Sequence, residues 1–216
     1  MKLFKRKIEL PGYWTTYEAL FKEKSSNDVS KVRFVVLDTE TTGFDYGEDR
    51  ILSIGALSLL NNSILVNDIF DVYLSQEKHT KESIKVHGIL KEGSKARISE
   101  VEALEQFLGY LGNAIIVAHH AMFDIQMINK ALGRNGLPKL KNRYLDTSTL
   151  YKKTRIRSNL LQQQEIYTLD ELADKFDITK KDRHTALGDA YITAIVFLRI
   201  LNRLKEKREI TLKWLL

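Results

Sequence analysis

The run from Val32 to Leu37 is short, almost wholly apolar, and followed at once by two acids, Asp38 and Glu40. Apolar residues at successive positions, rather than at alternate ones, are typical of a strand buried on both faces. Such a strand needs a layer of other elements on each side of it. This one feature therefore predicts a layered α/β domain.

The elements that follow fit the same architecture. Residues 51–60 and 64–74 are predicted strands, and the Asn61-Asn62-Ser63 turn between them is short enough for a hairpin. Further strands are predicted at 114–118 and 144–146. Helices are predicted after the capping residues Ser99 and Thr168, over 123–132 and over 186–205. We expect a mixed five-stranded sheet flanked by helices.

Composition limits the kinds of site that the chain can build. The 216 residues are 44% hydrophobic and 29% charged, as expected of one globular domain. Cysteine is absent, so any metal must be held by oxygen or imidazole, and a cytoplasmic location is expected. No apolar run has the length of a signal peptide core or a membrane span, so we expect a soluble protein and no membrane partner.

Net charge and the first thirty residues bear on partners. A net charge of +6 and a pI of about 9.3 favour nucleic acid as a partner, although many basic proteins bind none. Trp14, Tyr17, Leu20 and Phe21 have helical spacing. We therefore expect an amphipathic helix and linker over 1–30, the main domain over 31–205 and a tail over 206–216. Packing on the back of the domain is the favoured role of the helix, and docking a protein partner is the alternative.

The two acids at the end of the first strand suggest a metal site. Residues two apart on a strand point to the same face, so Asp38 and Glu40 can converge on one point. Paired carboxylates suit Mg²⁺ or Mn²⁺. Taken alone, they could equally be a solvated strand end that leads into the turn Thr41-Thr42-Gly43.

Three other residues extend this candidate site. Asp124 follows the strand at 114–118 and begins a helix, where a carboxylate could also serve only the helix dipole. His184 and Asp189 would lie about 140° apart on one continuous helix, so they converge more readily if His184 precedes the helix. Four carboxylates in one cleft would repel one another unless cations neutralise them, and two divalent ions would do so.

Three separated motifs carry a resemblance to a known family. They are Val35-Val36-Leu37-Asp38-Thr39-Glu40-Thr41-Thr42-Gly43, Val117-Ala118-His119-His120-Ala121-Met122-Phe123-Asp124 and His184-Thr185-Ala186-Leu187-Gly188-Asp189-Ala190. Val86-His87-Gly88-Ile89 and Leu145-Asp146-Thr147 support them. In order and spacing, from about residue 32 to 201, the chain resembles the DEDDh 3′–5′ exonucleases, which include the proofreading epsilon subunit, RNase T and oligoribonuclease. His120 and Ser53 stand where many members have Asn and Glu.

The resemblance implies an RNase H-like fold and a 3′–5′ exonuclease that uses two Mg²⁺ or Mn²⁺ ions. It implies that Asp38, Glu40, Asp124 and Asp189 hold the ions and that His184 accepts the proton of the attacking water. The remaining implied residues contact the substrate: Thr41, Thr42, Gly43, His87 and Phe123. Phe123 could equally be a core residue.

Several alternatives stay open at this point. The expected substrate is the 3′ end of DNA, preferably single-stranded, but an RNA-trimming or short-oligonucleotide enzyme is also compatible. A catalytically silent nucleic-acid-binding module is less favoured, because all five core residues are present. The basic segment 151–157, followed by three glutamines at 162–164, could be an arm that contacts phosphates or only a solvated loop. Nothing in the sequence selects an oligomeric state.

Overall fold

The computed structural model describes residues 9–77, 88–89, 95–155 and 166–216. Within these residues, six strands form one sheet: β1 Phe34–Thr41, β2 Ile51–Leu60, β3 Ser63–Leu74, β4 Arg97–Ile98, β5 Ile115–Ala118 and β6 Tyr144–Asp146. The α-helices in the same part of the chain are α1 Gly12–Ala19, α2 Glu100–Leu111, α3 Met122–Arg134, α4 Thr147–Thr154, α5 Leu169–Lys175, α6 Ala186–Lys205 and α7 Leu212–Leu215.

The sheet is mixed, with the order β4-β3-β2-β1-β5-β6. Strand β1 lies near its centre, antiparallel to β2 and parallel to β5. The predicted α/β class with helices around a mixed sheet is confirmed. The sheet has six strands rather than five, because the two-residue strand β4 pairs with the end of β3. Two residues are too few to show a strand periodicity, which is why the sequence did not predict β4.

Strand β1 is buried on both faces, as its apolar run predicted. Phe34 and Val36 belong to the core that includes α6, whereas Val35 and Leu37 belong to the core that includes α2 and α3. Side chains alternate along a strand, so Asp38 continues the row that faces α6. This alternation determines which helix each residue at the end of β1 can meet.

Local signals account for the other boundaries. Asn61 and Asn62 have φ values of 49° and 58°, the left-handed pair that a tight hairpin turn requires. Thr168 and Glu171 form the predicted reciprocal capping box at the start of α5. At the start of α2, Ser99 accepts a hydrogen bond from the backbone of Glu102. No helix in the described part of the chain has the length and apolar character needed to cross a membrane.

The first and last described segments pack against the same domain. Trp14 and Tyr17 of α1 are buried in the core with α2 and α3, whereas α7 closes the core around α6. Asp28 and Thr211 form a β-bridge, and the backbone N–H of Leu212 donates to the carbonyl of Asn27 at 2.9 Å. These contacts hold residues 27–28 and 211–213 side by side. The domain boundaries at 30/31 and 205/206 stay predictions.

Candidate active site

Three carboxylates meet where the end of β1 faces the start of α6. Asp38 and Glu40 lie on the same face of β1, and Asp189 lies in the first turn of α6. One carboxylate oxygen from each residue lies within 4.8 Å of those from the other two. Asp38 and Glu40 are half-buried, and Asp189 is 6% exposed. We call these three residues the carboxylate cluster.

The start of α6 reaches the sheet because Gly55 has no side chain. Gly55 pairs with Asp38 across β1 and β2. A Cβ atom at Gly55 would lie 2.1 Å from the backbone nitrogen of Leu187 and 2.2 Å from the carbonyl carbon of Ala186. The backbone of α6 therefore rests directly on β2, which brings Asp189 opposite Asp38. A glycine inside a strand was the available signal for this contact, and our sequence reasoning did not use it.

A tight turn precedes α6 and carries His184. The hydroxyl of Thr185 accepts a hydrogen bond from the backbone of Gly188 at 3.1 Å and caps the helix. His184 lies before this cap with φ of 64°, and its side chain is exposed. Its backbone N–H donates to Oδ1 of Asp189 at 3.3 Å. The structure thus places His184 on the approach to the helix and Asp189 inside it, the arrangement that their spacing favoured.

Asp124 lies on the other side of β1 from the carboxylate cluster. Thr39 points toward α3, and both its backbone N–H and its hydroxyl donate to Oδ1 of Asp124, at 3.0 and 2.8 Å. Asp124 is 3% exposed. It is nevertheless close enough to Asp38 for the two charges to interact. The structure therefore brings three of the four predicted acids together and places Asp124 behind Asp38, with its Oδ1 already hydrogen-bonded.

Burial and mutual repulsion raise the pKa values of the acids at this site. Burial, followed by the charges of Asp124, Asp189 and Glu40, raises the pKa of Asp38 well above its usual value. Burial and then Asp189 raise the pKa of Glu40 to about 7. Burial also raises the pKa of Asp124 to about 7, against the opposing hydrogen bonds from Thr39. A bound cation would favour the charged forms of all these groups.

Arg183 is a cation at this site that we did not predict from the sequence. One of its terminal nitrogens donates to Oδ2 of Asp189. Its other two nitrogens donate to the two carboxylate oxygens of Asp170 on α5, at 2.9 and 3.0 Å. Burial opposes the charge of Arg183, but Asp170 and Asp189 raise its pKa further. We did not predict this role, because Arg183 follows Lys180 and Lys181 in a basic stretch with no pattern that separates one cation from another.

The loop after β1 is organised by Asp49, which we did not single out from the sequence. The hydroxyl of Thr42 donates to Oδ1 of Asp49 at 2.7 Å, and the backbone of Asp45 donates to Oδ2 at 2.9 Å. A Cβ atom at Gly43 would lie 2.4 Å from Asp49 Oδ2, so a side chain here would displace the carboxylate of Asp49. The hydroxyl of Thr41 donates to the carbonyl of Gly43 at 2.7 Å. Thr41, Thr42 and Gly43 therefore shape the loop itself.

Three aromatic side chains extend from this loop to α3. Phe123 is half-buried, and its ring centroid lies 5.7 Å from that of Phe44 and 5.8 Å from that of Tyr46. Phe44 is 87% exposed and Tyr46 is 37% exposed. Phe123 is thus in contact with the loop and partly open to solvent. We call Phe44, Tyr46 and Phe123 the aromatic group. His87, the remaining predicted substrate contact, lies outside the described residues.

The second motif is held by partly buried hydrogen bonds. The ring of His119 bridges the hydroxyl of Thr147 and the carbonyl of Tyr167, both at 2.8 Å, and burial lowers the pKa of His119 to about 4. Asp146 accepts from the backbone N–H of Ala121 at 2.9 Å, just before α3 begins. These contacts fix the turn that leads to Asp124.

The two residues that depart from the family pattern, His120 and Ser53, lie in different local environments. His120 has φ of 58°, and this left-handed conformation is one that Asn, Asp and His adopt more readily than other residues with a side chain. Ser53 pairs with Glu40 across the sheet and is buried. Among the described residues, its hydroxyl has no hydrogen-bond partner.

Comparison with known families gives one match over most of the chain. The family model described as Exonuclease, the RNase T family, matches residues 35–197. The matched range runs from β1 into α6 and so contains the carboxylate cluster and Asp124.

Related sequences include polymerases and a polymerase subunit. The PolC-type DNA polymerase III of Thermotoga petrophila is 36% identical over 177 residues, which are 80% of this chain and 12% of that protein. The DNA polymerase III subunit epsilon of Rickettsia typhi is 30% identical over 177 residues, covering 80% of this chain and 75% of the subunit. The chain therefore spans only a small part of the PolC-type relatives.

Solved structures share the fold at low sequence identity. Escherichia coli Exonuclease I in complex with a dT13 oligonucleotide has a TM-score of 0.68 at 15% identity, covering 82% of this chain and 42% of that one. Cell-death related nuclease 4 also has a TM-score of 0.68 at 15% identity, covering 80% and 64%. These matches confirm the predicted RNase H-like fold.

Proposed function

The chain belongs to the exonuclease family, and from this premise we propose that it is a metal-dependent 3′–5′ exonuclease. The proposed reaction hydrolyses the last phosphodiester bond of a DNA strand, preferably single-stranded, and releases a nucleoside 5′-monophosphate. The observation that carries the proposal is the carboxylate cluster of Asp38, Glu40 and Asp189, whose oxygens lie within 4.8 Å of one another.

The donor set of the site fits hard divalent cations. Carboxylates alone make up the cluster, and oxygen ligands suit Mg²⁺ and Mn²⁺. The buried hydroxyl of Ser53, on the same face of the sheet as Glu40, offers a further oxygen nearby. We assign Asp38, Glu40 and Asp189 as metal ligands. Asp124 would complete the set through its second oxygen or through water. Two bound ions would supply an activated water and stabilise the leaving 3′-oxygen.

The residues of the chain would then orient the reactants and move one proton. His184 is exposed beside Asp189, on a turn fixed by the Thr185 cap, so it can approach a water molecule at the cluster. We assign it as the base that accepts the proton of the attacking water, a task that suits an imidazole at neutral pH. Thr39 orients Asp124, and Asp146 holds the turn before α3 in place.

The aromatic group supports a nucleic-acid substrate. Unstacked bases bind to exposed aromatic rings, and such stacking is tolerant of base identity. Phe44, Tyr46 and Phe123 provide these rings beside the loop that follows Glu40. The Thr41-Thr42-Gly43 loop would lie against the terminal nucleotide. Substrate contact by His87 remains a prediction from the resemblance. The dT13 oligonucleotide bound to Exonuclease I is consistent with a single-stranded substrate here.

The described part of the basic segment supports binding to the phosphate backbone. Lys152, Lys153 and Arg155 are exposed at the end of α4. Lys153 lies 4.8 Å from the ring centre of Trp214, and Arg155 lies 5.8 Å from that of Tyr167. These contacts hold Lys153 against Trp214 and Arg155 against Tyr167. Residues 156–165 lie outside the described residues, so the proposed arm is restricted to its first half.

Replacing Lys152, Lys153 and Arg155 by Glu tests this surface. We expect KM for a 20-nucleotide strand to rise several-fold and the salt dependence of binding to weaken, because contacts to phosphates are lost. A trinucleotide should be affected much less. Charge reversal at Lys22, Lys24 and Lys139, which are exposed elsewhere, is the matched control. Equal effects of the two variants on the long strand would reject the surface.

The central experiment is a nuclease assay with defined ends. Purified protein with Mg²⁺ or Mn²⁺ should shorten a 5′-labelled single-stranded DNA one nucleotide at a time from the 3′ end, and chelation should stop it. Strands of matched sequence in DNA and RNA, single and double, identify the preferred substrate. Binding of all four strands without any cleavage would show a silent binding module instead. Full activity of the Asp189→Ala protein would refute the metal assignment.

Two further predictions concern the location of the protein and a protein partner. A cytoplasmic location is a proposal that rests on the lack of cysteine. Docking of a protein partner through α1 is weakened by the burial of Trp14 and Tyr17, whose side chains are already packed in the core.

A further inference from the structure

The guanidinium group of Arg183 is shared between two acids with different roles. Its Nε and one terminal nitrogen form a two-point contact with Asp170. Its other terminal nitrogen bonds to Oδ2 of Asp189, a member of the carboxylate cluster. The side chain of Arg183 is 18% exposed, that of Asp189 is 8% exposed and that of Asp170 is 46% exposed. Arg183 thus joins a surface acid to a buried one.

Arg183 meets the need for positive charge that the cluster creates. It is the described cation whose charge offsets those of both Asp38 and Glu40, and it also bonds directly to Asp189. Three carboxylates so close together repel one another unless a positive charge lies near. A guanidinium held in this position supplies part of that charge before any divalent ion binds.

Arg183 and a divalent ion would both be attracted to the carboxylate of Asp189. Oδ1 of Asp189 accepts the backbone N–H of His184, and Oδ2 accepts Arg183. A cation that binds Asp189 directly would lie close to both donors, and the positive charge of Arg183 would oppose its binding. The Arg183 contact can be released at a moderate cost, because two of the three guanidinium nitrogens stay bonded to Asp170.

From this geometry we propose that Arg183 is an internal counter-cation that competes with the divalent ion for Asp189. Asp170 is the positioning residue that retains Arg183 when the ion enters, and so it sets the metal affinity without contacting the metal. The inference rests on the proposed function to the extent that the cluster binds a divalent ion. It adds that two residues outside the ligand set act on metal affinity in opposite directions.

The opposite directions follow from charge. Arg183→Gln removes the competing cation, so Mn²⁺ should bind more tightly, with a dissociation constant lower by about tenfold. Asp170→Asn removes the alternative partner of Arg183, so the guanidinium should hold Asp189 more firmly and Mn²⁺ should bind several-fold more weakly. In the Arg183→Gln background, Asp170→Asn should have little further effect, because its action depends on Arg183.

Calorimetric titration of the full chain with Mn²⁺, without nucleic acid, measures these constants. Melting in a chelator gives a second signal, and Arg183→Gln should lower the melting temperature of the ion-free protein while enlarging the increase produced by Mn²⁺. Asp174→Asn is the matched control. It removes an acid of the same helix that bonds to Lys180 rather than Arg183, and it should leave the Mn²⁺ constant nearly unchanged.

Each result either supports or overturns the inference. A purely structural bridge between α5 and α6 would make both variants less stable without tightening Mn²⁺ binding in Arg183→Gln. Should Arg183→Gln fail to fold, Asp170→Asn decides, since unchanged or tighter Mn²⁺ binding there refutes the competition. If wild-type protein binds no Mn²⁺ and cleaves no strand, the proposed function fails. If wild-type protein binds Mn²⁺ and cleaves the strand, but the variants have the same dissociation constant for Mn²⁺, only the inference fails.

Discussion

The end of β1 and the start of α6 supply carboxylates to the same cluster by different means. On β1, strand alternation and hydrogen bonding to β2 fix Asp38 and Glu40. Among the described residues, neither of their carboxylates receives a hydrogen bond. On α6, Asp189 depends on a capped helix start and a left-handed residue before it, and both of its oxygens accept hydrogen bonds.

This difference predicts that substitutions at the strand end and at the helix start have different effects on catalysis and on stability. The strand end is held by its pairing with β2, and its acids accept no hydrogen bond from the described residues, so changing an acid there should alter catalysis more than folding. The helix start is assembled from a close backbone contact, a turn and an ion pair, so changes there should alter folding and metal binding together. The following predictions test that division, from the largest expected effect to the smallest.

Asp38→Asn should reduce kcat by at least about 1000-fold, as expected for a residue at the centre of a catalytic unit. The free energy of unfolding of the metal-free protein should be unchanged or higher, because a neutral group replaces a carboxylate whose charge is disfavoured there. Mononucleotide release and chemical denaturation in a chelator measure the two quantities. Asp177→Asn, at an exposed left-handed position that suits Asn, is the control. A protein that lost stability together with activity would contradict the division.

Gly55→Ala should lower the free energy of unfolding by about 3 kcal/mol, the upper end of the usual cost of overpacking, because it disturbs the start of α6. The added Cβ would lie 2.1 Å from the backbone of Leu187, so α6 must move away from β2. Activity should fall as well, because Asp189 moves with the helix. Gly133→Ala is the control: it lies in α3 with no atom near its Cβ, and should stabilise by up to about 1 kcal/mol. Equal urea midpoints for the two variants would exclude the close contact.

The pH dependence of stability should report the raised pKa of Glu40 at the strand end. Burial and then Asp189 raise the pKa of Glu40 to about 7 from an ordinary value near 4.5. Between these values the folded protein binds more protons than the unfolded chain, so this contribution to stability is complete below pH 4.5. It is lost as pH rises through 7. Metal-free protein should therefore become less stable between pH 5 and 8, and Glu40→Gln should reduce that slope. A slope unchanged in Glu40→Gln would place the titration elsewhere.

Thr39→Val should have the smallest effect, because it removes only the side-chain hydrogen bond to Asp124 and leaves the backbone one. We expect a loss of about 1 kcal/mol in unfolding free energy. The acid limb of the activity profile should move to higher pH, because the lost bond favoured the charged carboxylate. Thr39→Ser should behave as wild type. If Thr39→Val reduced kcat as much as Asp38→Asn does, Asp124 would depend on the hydroxyl of Thr39 for its position.

Local patterns were enough to predict the strand end from the sequence. The apolar run before Asp38 predicted a strand buried on two faces, and alternation then placed Asp38 and Glu40 together. The bounds of β2, β6 and α6 match those predicted; β2 is a long apolar run, and α6 begins after a marked cap. The Asn61-Asn62 turn was equally local. These features depend on residues that are neighbours in the chain.

The helix start could be predicted only in part, because its contacts join distant residues. The packing of Leu187 on Gly55 crosses more than 130 positions of sequence and leaves no periodic signal. Arg183 was indistinguishable from neighbouring surface lysines until Asp170 and Asp189 were seen on either side of it. Asp49 likewise shows its role only when the loop folds back on it.

The β-bridge between Asp28 and Thr211 bears on how such a domain can be carried by a larger protein. After α1 the chain passes Asn27, and near its end it returns to the same place, since the backbone of Lys213 also donates to the side chain of Asn27 at 2.9 Å. A fold with adjacent entry and exit can be inserted into a host loop with little distortion of either partner. In the PolC-type relative from Thermotoga petrophila the matched region is 12% of the protein, so a domain of this kind there forms one part of a much longer chain.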